Sequence, residues 1–176
     1  MSIKRNAPRK ILLVEDEALI ALNERRILES HGYVVTTATT GERAIDSVLE
    51  DARVELVLMD IDLGKGMDGP QAARRILELR ELPIVFLTSH AEEEYVEKVK
   101  EITTYGYVLK SSGEFVLVQS IEMAFRLFES HCATRKHEQA LSQALYHLEL
   151  AVETAHLGIW QYDVQLGHLT WNDQMF

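Results

Sequence analysis

The sequence predicts an α/β fold, a doubly wound parallel sheet of five strands, and three observations predict it. Short apolar runs such as Val54–Met59 are nearly continuous, as in strands buried on both faces. Segments with apolar residues at helical spacing alternate with those runs five times. Glycine or proline stands at several of the junctions between them. Alternation of this kind implies right-handed βαβ crossovers and a sheet covered on both sides.

Taken in order, Ile11-Leu12-Leu13-Val14 is a buried strand ending in Glu15-Asp16-Glu17. Ile20, Ile27 and Leu28 mark one side of the first helix, with Gly32 as its stop signal. Tyr33 to Thr37 is rich in β-formers, and Ala44, Ile45, Val48 and Leu49 repeat with helical period after Gly41. Val54–Asp60 is the central strand, broken off by a glycine-rich loop. Gly69-Pro70 opens the next helix, with Pro70 suited to a first helical position and Ala73, Ile76 and Leu77 as its buried stripe. Pro83–Leu87 is a fourth strand ending at Thr88-Ser89-His90. Tyr95, Val96, Val99 and Ile102 mark a helix, Tyr107–Leu109 a short fifth strand, and Val118, Ile121, Phe125 and Phe128 a last helix.

Composition excludes several classes. The 176 residues suffice for one well-cored domain and something smaller, and 47% hydrophobic with 26% charged residues is an ordinary globular balance. A net charge of −10 and scattered basic residues argue against a nucleic-acid surface. The one basic cluster, Lys4, Arg5, Arg9 and Lys10, reads as a solvated lead-in to the first strand. The single cysteine, Cys132, allows no internal disulfide and fits a reducing compartment. With neither signal peptide nor membrane span apparent, a cytoplasmic location is expected.

Four of the five strands end in a chemically useful side chain: Glu15 and Asp16, Asp60, Thr88, and Lys110. The carboxyl ends of parallel strands lie along one edge, so these residues converge. Three neighbouring carboxylates are unfavourable unless a cation joins them, and oxygen-only ligands point to a hard ion such as Mg²⁺. A lysine and a hydroxyl beside them suit the oxygens of a phosphoryl group. The expectation is a phosphoryl-transfer site with Asp60 as nucleophile. The plainer alternative is that Asp60 merely caps a loop.

Leu13-Val14-Glu15-Asp16-Glu17, Val57-Leu58-Met59-Asp60, Leu87-Thr88-Ser89 and Tyr107-Val108-Leu109-Lys110 together resemble the receiver domain of two-component response regulators, over about residues 9–131. The resemblance implies a flavodoxin-like sheet of order 2-1-3-4-5. It also implies that Asp60 accepts phosphate from a phosphohistidine on a histidine kinase or phosphotransfer protein. Asp16 and Asp60 would ligate Mg²⁺ directly, Glu15 through water, and Asp62 by its backbone carbonyl. Lys110 would pair with the phosphoryl group, Thr88 would hydrogen-bond to it, and Tyr107 would turn inward as the switch aromatic. A strand-edge packing role for Tyr107 stays open. Three features depart from the family pattern. Gly64 replaces a common proline in a loop one residue longer than usual, so a more mobile loop is expected. Ser111-Ser112 follows Lys110 where a proline is usual. Asp62 and His90 occupy the positions that tune phosphoaspartate hydrolysis, or are simply solvated.

Beyond the receiver-like stretch, residues 132–155 are expected to form a helical linker. Ala124 to Ala155 contains neither glycine nor proline, and Leu127, Leu141, Leu145, Leu148 and Val152 keep heptad spacing. A continuous helix feeding a parallel two-stranded coiled coil is one reading, with His131, Thr134 and Glu138 weakening the middle of its seam. A surface helix packed on its own domain is the other. His137-Glu138 matches only the dipeptide at a kinase phosphoacceptor and reads as linker. Residues 156–176 read as two short strands around a turn and resemble the opening of a PAS sensor domain, a generic hairpin being the alternative. The expected whole is the front part of a receiver–PAS signalling protein, by family analogy a hybrid sensor histidine kinase.

Two further functions compete. Asp60-Ile61-Asp62 resembles the two-aspartate motif of haloacid-dehalogenase-like phosphatases, although there the extra acids follow the nucleophile strand whereas Glu15-Asp16 precede it here. The other is an interaction module with an inert, unphosphorylated acidic edge.

Overall fold

The apolar runs form five parallel strands in the computed structural model, which describes residues 7–64, 66–89, 102, 105–155, 160–164 and 166–171. They are β1 (Lys10–Val14), β2 (Val34–Ala38), β3 (Val54–Asp60), β4 (Ile84–Thr88) and β5 (Tyr107–Leu109). Their order is β2-β1-β3-β4-β5, the expected one. The described helices are α1 (Ala18–Ser30), α2 (Gly41–Glu50), α3 (Gly69–Leu79) and α4 (Glu114–Thr154). The helix expected around Tyr95, Val96 and Val99 lies outside the described residues, while Ile102 packs on the core.

Alternation along the strands builds a core on each side of the sheet. Leu12 and Val14, Val57 and Met59, and Ile84 and Phe86 meet Ala44 and Val48 of α2 and Ala72, Ala73 and Ile76 of α3. Ile11 and Leu13, Leu56 and Leu58, and Val85 and Leu87 meet Leu28 of α1 and Leu117, Ile121 and Phe125 of α4. Both faces of β1, β3 and β4 are therefore sealed, which is why their sequences are apolar throughout rather than alternating.

Helix starts follow local hydrogen bonding. The Thr40 hydroxyl accepts from the Arg43 N–H at 3.2 Å, and the Asp68 carboxylate accepts from the Gln71 N–H at 2.7 Å. With Asp68 as the cap, Gly69 is the first helical residue and Pro70 the second, one place later than the sequence reading. Other details also differ. Pro83 stands outside β4 and accepts a bond from the Val57 N–H through its carbonyl, at 3.0 Å. Leu49 is exposed, because the stripe of α2 narrows to Ala44 and Val48 with Ile45 at its margin. Arg9 and Lys10 are not a solvated lead-in. Arg9 stacks 4.0 Å over the Phe125 ring and pairs with Glu129 at 2.7 Å, and Lys10 pairs with Asp51 at 2.5 Å. Long cationic side chains cover apolar surface in this way while their charges stay paired.

The chain divides into the units Met1–Glu129 and Ser130–Phe176. α4 continues unbroken to Thr154, and residues 133–151 are exposed along their length. In the second unit, β6 (Trp160–Asp163) and β7 (His168–Trp171) form an antiparallel hairpin, with the Leu166 N–H donating to the Asp163 carboxylate across the turn at 3.0 Å. Among the described residues, no helix is long and apolar enough to cross a membrane.

Gly69 ties the end of the central strand to α3. Its N–H donates to the Ile61 carbonyl at 3.1 Å, and a Cβ built there would lie 1.9 Å from the Asp60 carbonyl oxygen. That neighbour is backbone and has nowhere to retreat. Gly69→Ala is therefore expected to destabilise the first unit by about 3 kcal/mol, the cost of a severe overpacking. Urea denaturation measures it, and a loss within error of zero would contradict the close approach.

Candidate functional site

Glu15 follows β1, Asp60 closes β3, Thr88 closes β4 and Lys110 follows β5, so the parallel register sets all four at one edge of the sheet. Asp60 is opposite Leu87, and Thr88 is opposite Leu109. Burial is nearly complete for Glu15 at 1%, Asp60 at 4% and Thr88 at 1% exposure, whereas Asp16 is exposed. One oxygen from each of Glu15, Asp16 and Asp60 lies within 4.8 Å of the other two.

Lys110 joins the buried acids. Its Nζ donates to Asp60 Oδ2 at 2.9 Å and lies 2.6 Å from Glu15 Oε2, the second contact being an ion pair without hydrogen-bond alignment. Residues Lys110–Ser112 form a single 3₁₀ turn, the local geometry adopted where the family pattern has a proline. Backbone donors add smaller contributions, with the Glu17 N–H 3.3 Å from Glu15 Oε1 and the Asp62 N–H 3.4 Å from Asp60 Oδ1.

Burial dominates the electrostatics. It raises the Asp60 carboxyl, and Lys110 offsets only part of that rise. Glu15 is likewise raised by burial and by the Asp60 charge, against the pull of Lys110. Burial works against the Lys110 ammonium too, but its two carboxylate partners outweigh it and hold the amine charged. Three carboxylates are grouped here and one ammonium pairs with two of them, which leaves surplus negative charge.

Gly64 adds a contact that the sequence reading, which expected only a mobile loop, did not foresee. Its φ of +60° brings the chain against Asp16, where a Cβ would lie 2.7 Å from Oδ2. Asp62 is exposed, Tyr107 is 43% exposed on β5, and His90 lies outside the described residues.

Sequence reasoning missed Glu24. It sits on α1 at 6% exposure, and its Oε2 has no hydrogen-bond partner among the described residues. Its position on the same helical face as Ile20, Ile27 and Leu28 was the available signal. Burial first, and then the charge of Glu15, push its carboxyl up to about 7.

Residues 11–122 match the family model described as the response regulator receiver domain. The transcriptional regulatory protein PdtaR of Mycobacterium tuberculosis is 32% identical over 139 residues, 78% of this chain and 67% of that one. ResD, a transcriptional regulatory protein of Bacillus subtilis, is 38% identical over 110 residues, 61% of this chain and 45% of its own length. Among solved structures, the N-terminal domain of a response regulator/sensory box/GGDEF three-domain protein from Carboxydothermus hydrogenoformans is 49% identical with a TM-score of 0.66. The match covers 70% of this chain and 98% of that one.

The buried Glu24 generates a pH dependence. Its carboxyl titrates near 4.5 in the unfolded chain and near 7 in the folded one. Between those values the unfolded state binds fewer protons, so stability falls as pH rises, and the loss is complete above about 7. Glu24→Gln is expected to remove that slope, leaving the variant more stable than the wild type by roughly 3 kcal/mol at alkaline pH and equal to it near pH 4. Chemical denaturation of both proteins across this range checks it. Parallel curves would refute the burial of the charge.

Proposed function

The chain belongs to the response regulator receiver domain family, and we propose that it is the phosphate-accepting receiver of a two-component pathway with Asp60 as acceptor. The observation that carries this reading is the Lys110 ammonium 2.9 Å from Asp60 within a group of three carboxylates. Receiver domains take phosphate from histidine kinases or phosphotransfer proteins and bind Mg²⁺ at an acidic pocket. The donor set here, all oxygen and with surplus negative charge, fits a hard divalent cation. Asp16 and Asp60 would hold it directly, Glu15 through water, and Asp62 through its backbone carbonyl. Bound there, Mg²⁺ would neutralise charge on the transferring phosphoryl group.

A carboxylate oxygen of Asp60 attacks phosphorus in line. The new O–P bond forms as the N–P bond of the donor phosphohistidine breaks, and the imidazole leaves with its electron pair. Lys110 transfers its ion pairing from Asp60 to the phosphoryl oxygens, and the Thr88 hydroxyl donates to one of them. Alignment and charge neutralisation do most of the work in such a transfer. Movement of Thr88 then vacates space into which Tyr107 turns, shifting the population of two conformations. The exposure of Tyr107 on β5 is consistent with the unswitched conformation.

Downstream, α4 would carry the signal through a parallel coiled-coil dimer. Leu141, Leu145 and Leu148 form a heptad stripe that is more than half exposed at every position, apolar surface that a second copy would cover. The hairpin of β6 and β7 is read as the opening of a PAS-like domain at residues 156–176. The Carboxydothermus protein, a response regulator/sensory box/GGDEF three-domain protein, supports such an arrangement. A cytoplasmic hybrid sensor histidine kinase is the proposed parent, with no nucleic acid as direct partner.

Incubation with acetyl phosphate and Mg²⁺ is expected to add one phosphate to the wild type by intact mass, and none to Asp60→Asn. Lys110→Ala should accept it at least about tenfold more slowly. An adduct persisting in Asp60→Asn would overturn the assignment, and turnover of simple phosphomonoesters would favour the phosphatase alternative. Light scattering tests the linker separately. The wild type is expected to be a dimer and Leu141→Glu/Leu148→Glu a monomer, so equal masses would remove the coiled coil.

A further inference from the structure

A cavity of about 490 Å³ lies behind the acidic edge, lined by α1, the end of β4, β5, the 3₁₀ turn and the first turn of α4. Ile20, Ile27, Leu87, Val108 and Leu117 supply apolar wall. Into this wall is set Glu24, more than nine-tenths buried and with an unpartnered carboxylate oxygen. We propose that this cavity is a binding site for a small organic cation, an ammonium head on an apolar body, with the Glu24 carboxylate receiving the head.

Charge complementarity selects a cation over the other small molecules that an apolar cavity of this size would admit. Lys110 is the one cation among the described lining residues, and its ammonium is already engaged by Glu15 and Asp60. Glu114, also in the lining, faces His31 at 3.6 Å and stands in the first turn of α4, where the helix end favours an anion. Glu24 feels the Lys110 charge only as a minor pull against burial and the charge of Glu15, and its Oε2 accepts no hydrogen bond from the described residues. An ionised carboxylate buried without a donor is costly, and an N⁺–H donor supplies both the missing hydrogen bond and the missing charge. The terminal torsion of a glutamate is soft, so either oxygen can be turned toward the cavity at small cost. The apolar wall then covers the body of the ligand, which a bare metal ion or an inorganic anion would leave uncovered.

The test titrates the full chain with n-hexylammonium at about pH 8.5, following amide chemical shifts. Neutral n-hexanol and anionic hexanoate serve as matched probes. Saturable binding of n-hexylammonium is expected, at least about tenfold tighter than n-hexanol, as one charge-assisted hydrogen bond provides. Hexanoate is expected not to bind. Glu24→Gln keeps the shape of the side chain and should reduce n-hexylammonium to the affinity of n-hexanol. Leu117→Trp, which fills the cavity, should abolish both. Equal affinity for n-hexylammonium and n-hexanol in the wild type overturns the proposal, as does unsaturable binding or binding unchanged in Glu24→Gln. None of these readouts involves phosphoryl transfer, so the outcome stands apart from the role of Asp60.

Discussion

The ammonium of Lys110 stands 2.6 Å from Glu15 and 2.9 Å from Asp60, two carboxylates almost fully withdrawn from water. Each acid alone in that position would shift toward its neutral form, because desolvation disfavours the charge. One amine lowers the cost for both, and it reaches them only because β5 pairs with β4 and β4 with β3. The order of strands is therefore a condition on the electrostatics. With β5 moved to the other edge of the sheet, Glu15 and Asp60 would be left as an unpaired, mutually repelling couple.

Such a cluster draws on stability supplied elsewhere. The two apolar layers, one against α2 and α3 and the other against α1 and α4, bury the large side chains of every central strand. Burial at about 25 cal/mol per Å² across such layers is the term large enough to carry several unfavourable acids. Glu24 extends the same cost to a second location, since its raised carboxyl reflects burial first and the charge of Glu15 second. The concentration of negative charge about one lysine is also what makes a divalent cation attractive there. The strain on the folded state and the proposed chemistry share one cause.

The second unit is held together differently. Residues 133–151 form helix with no buried position, and the apolar stripe through Leu141, Leu145 and Leu148 is open in the single chain. Propensity alone rarely holds such a helix, so its stability has to come from a partner surface or from its continuity with the packed start of α4. The hairpin of β6 and β7 is exposed in the same way, with Trp160 and Tyr162 more than half accessible. Apolar surface of this kind is what a partner surface would cover.

The sequence alone determined the strands and the catalogue of acids, hydroxyl and amine at their ends. Strand identity is largely a local property: Val54–Asp60 is short, apolar at nearly every position because both faces are covered, and bounded by a glycine-rich break. The tips of parallel strands share an edge by topology, so Glu15, Asp60, Thr88 and Lys110 could be grouped without coordinates. Only the tertiary structure decided which of them touch. It also placed Arg9 over Phe125 and Lys10 on Asp51, pairings across 116 and 41 positions of chain that no local pattern encodes. Gly69 against the Asp60 carbonyl and Gly64 against Asp16 belong to the same class, since close approach depends on what lies opposite. Glu24 marks the boundary most clearly. Helical periodicity put it on the inner face of α1, but a charged residue there reads as surface until the tertiary fold buries it, and desolvation is a property of that burial rather than of the residue.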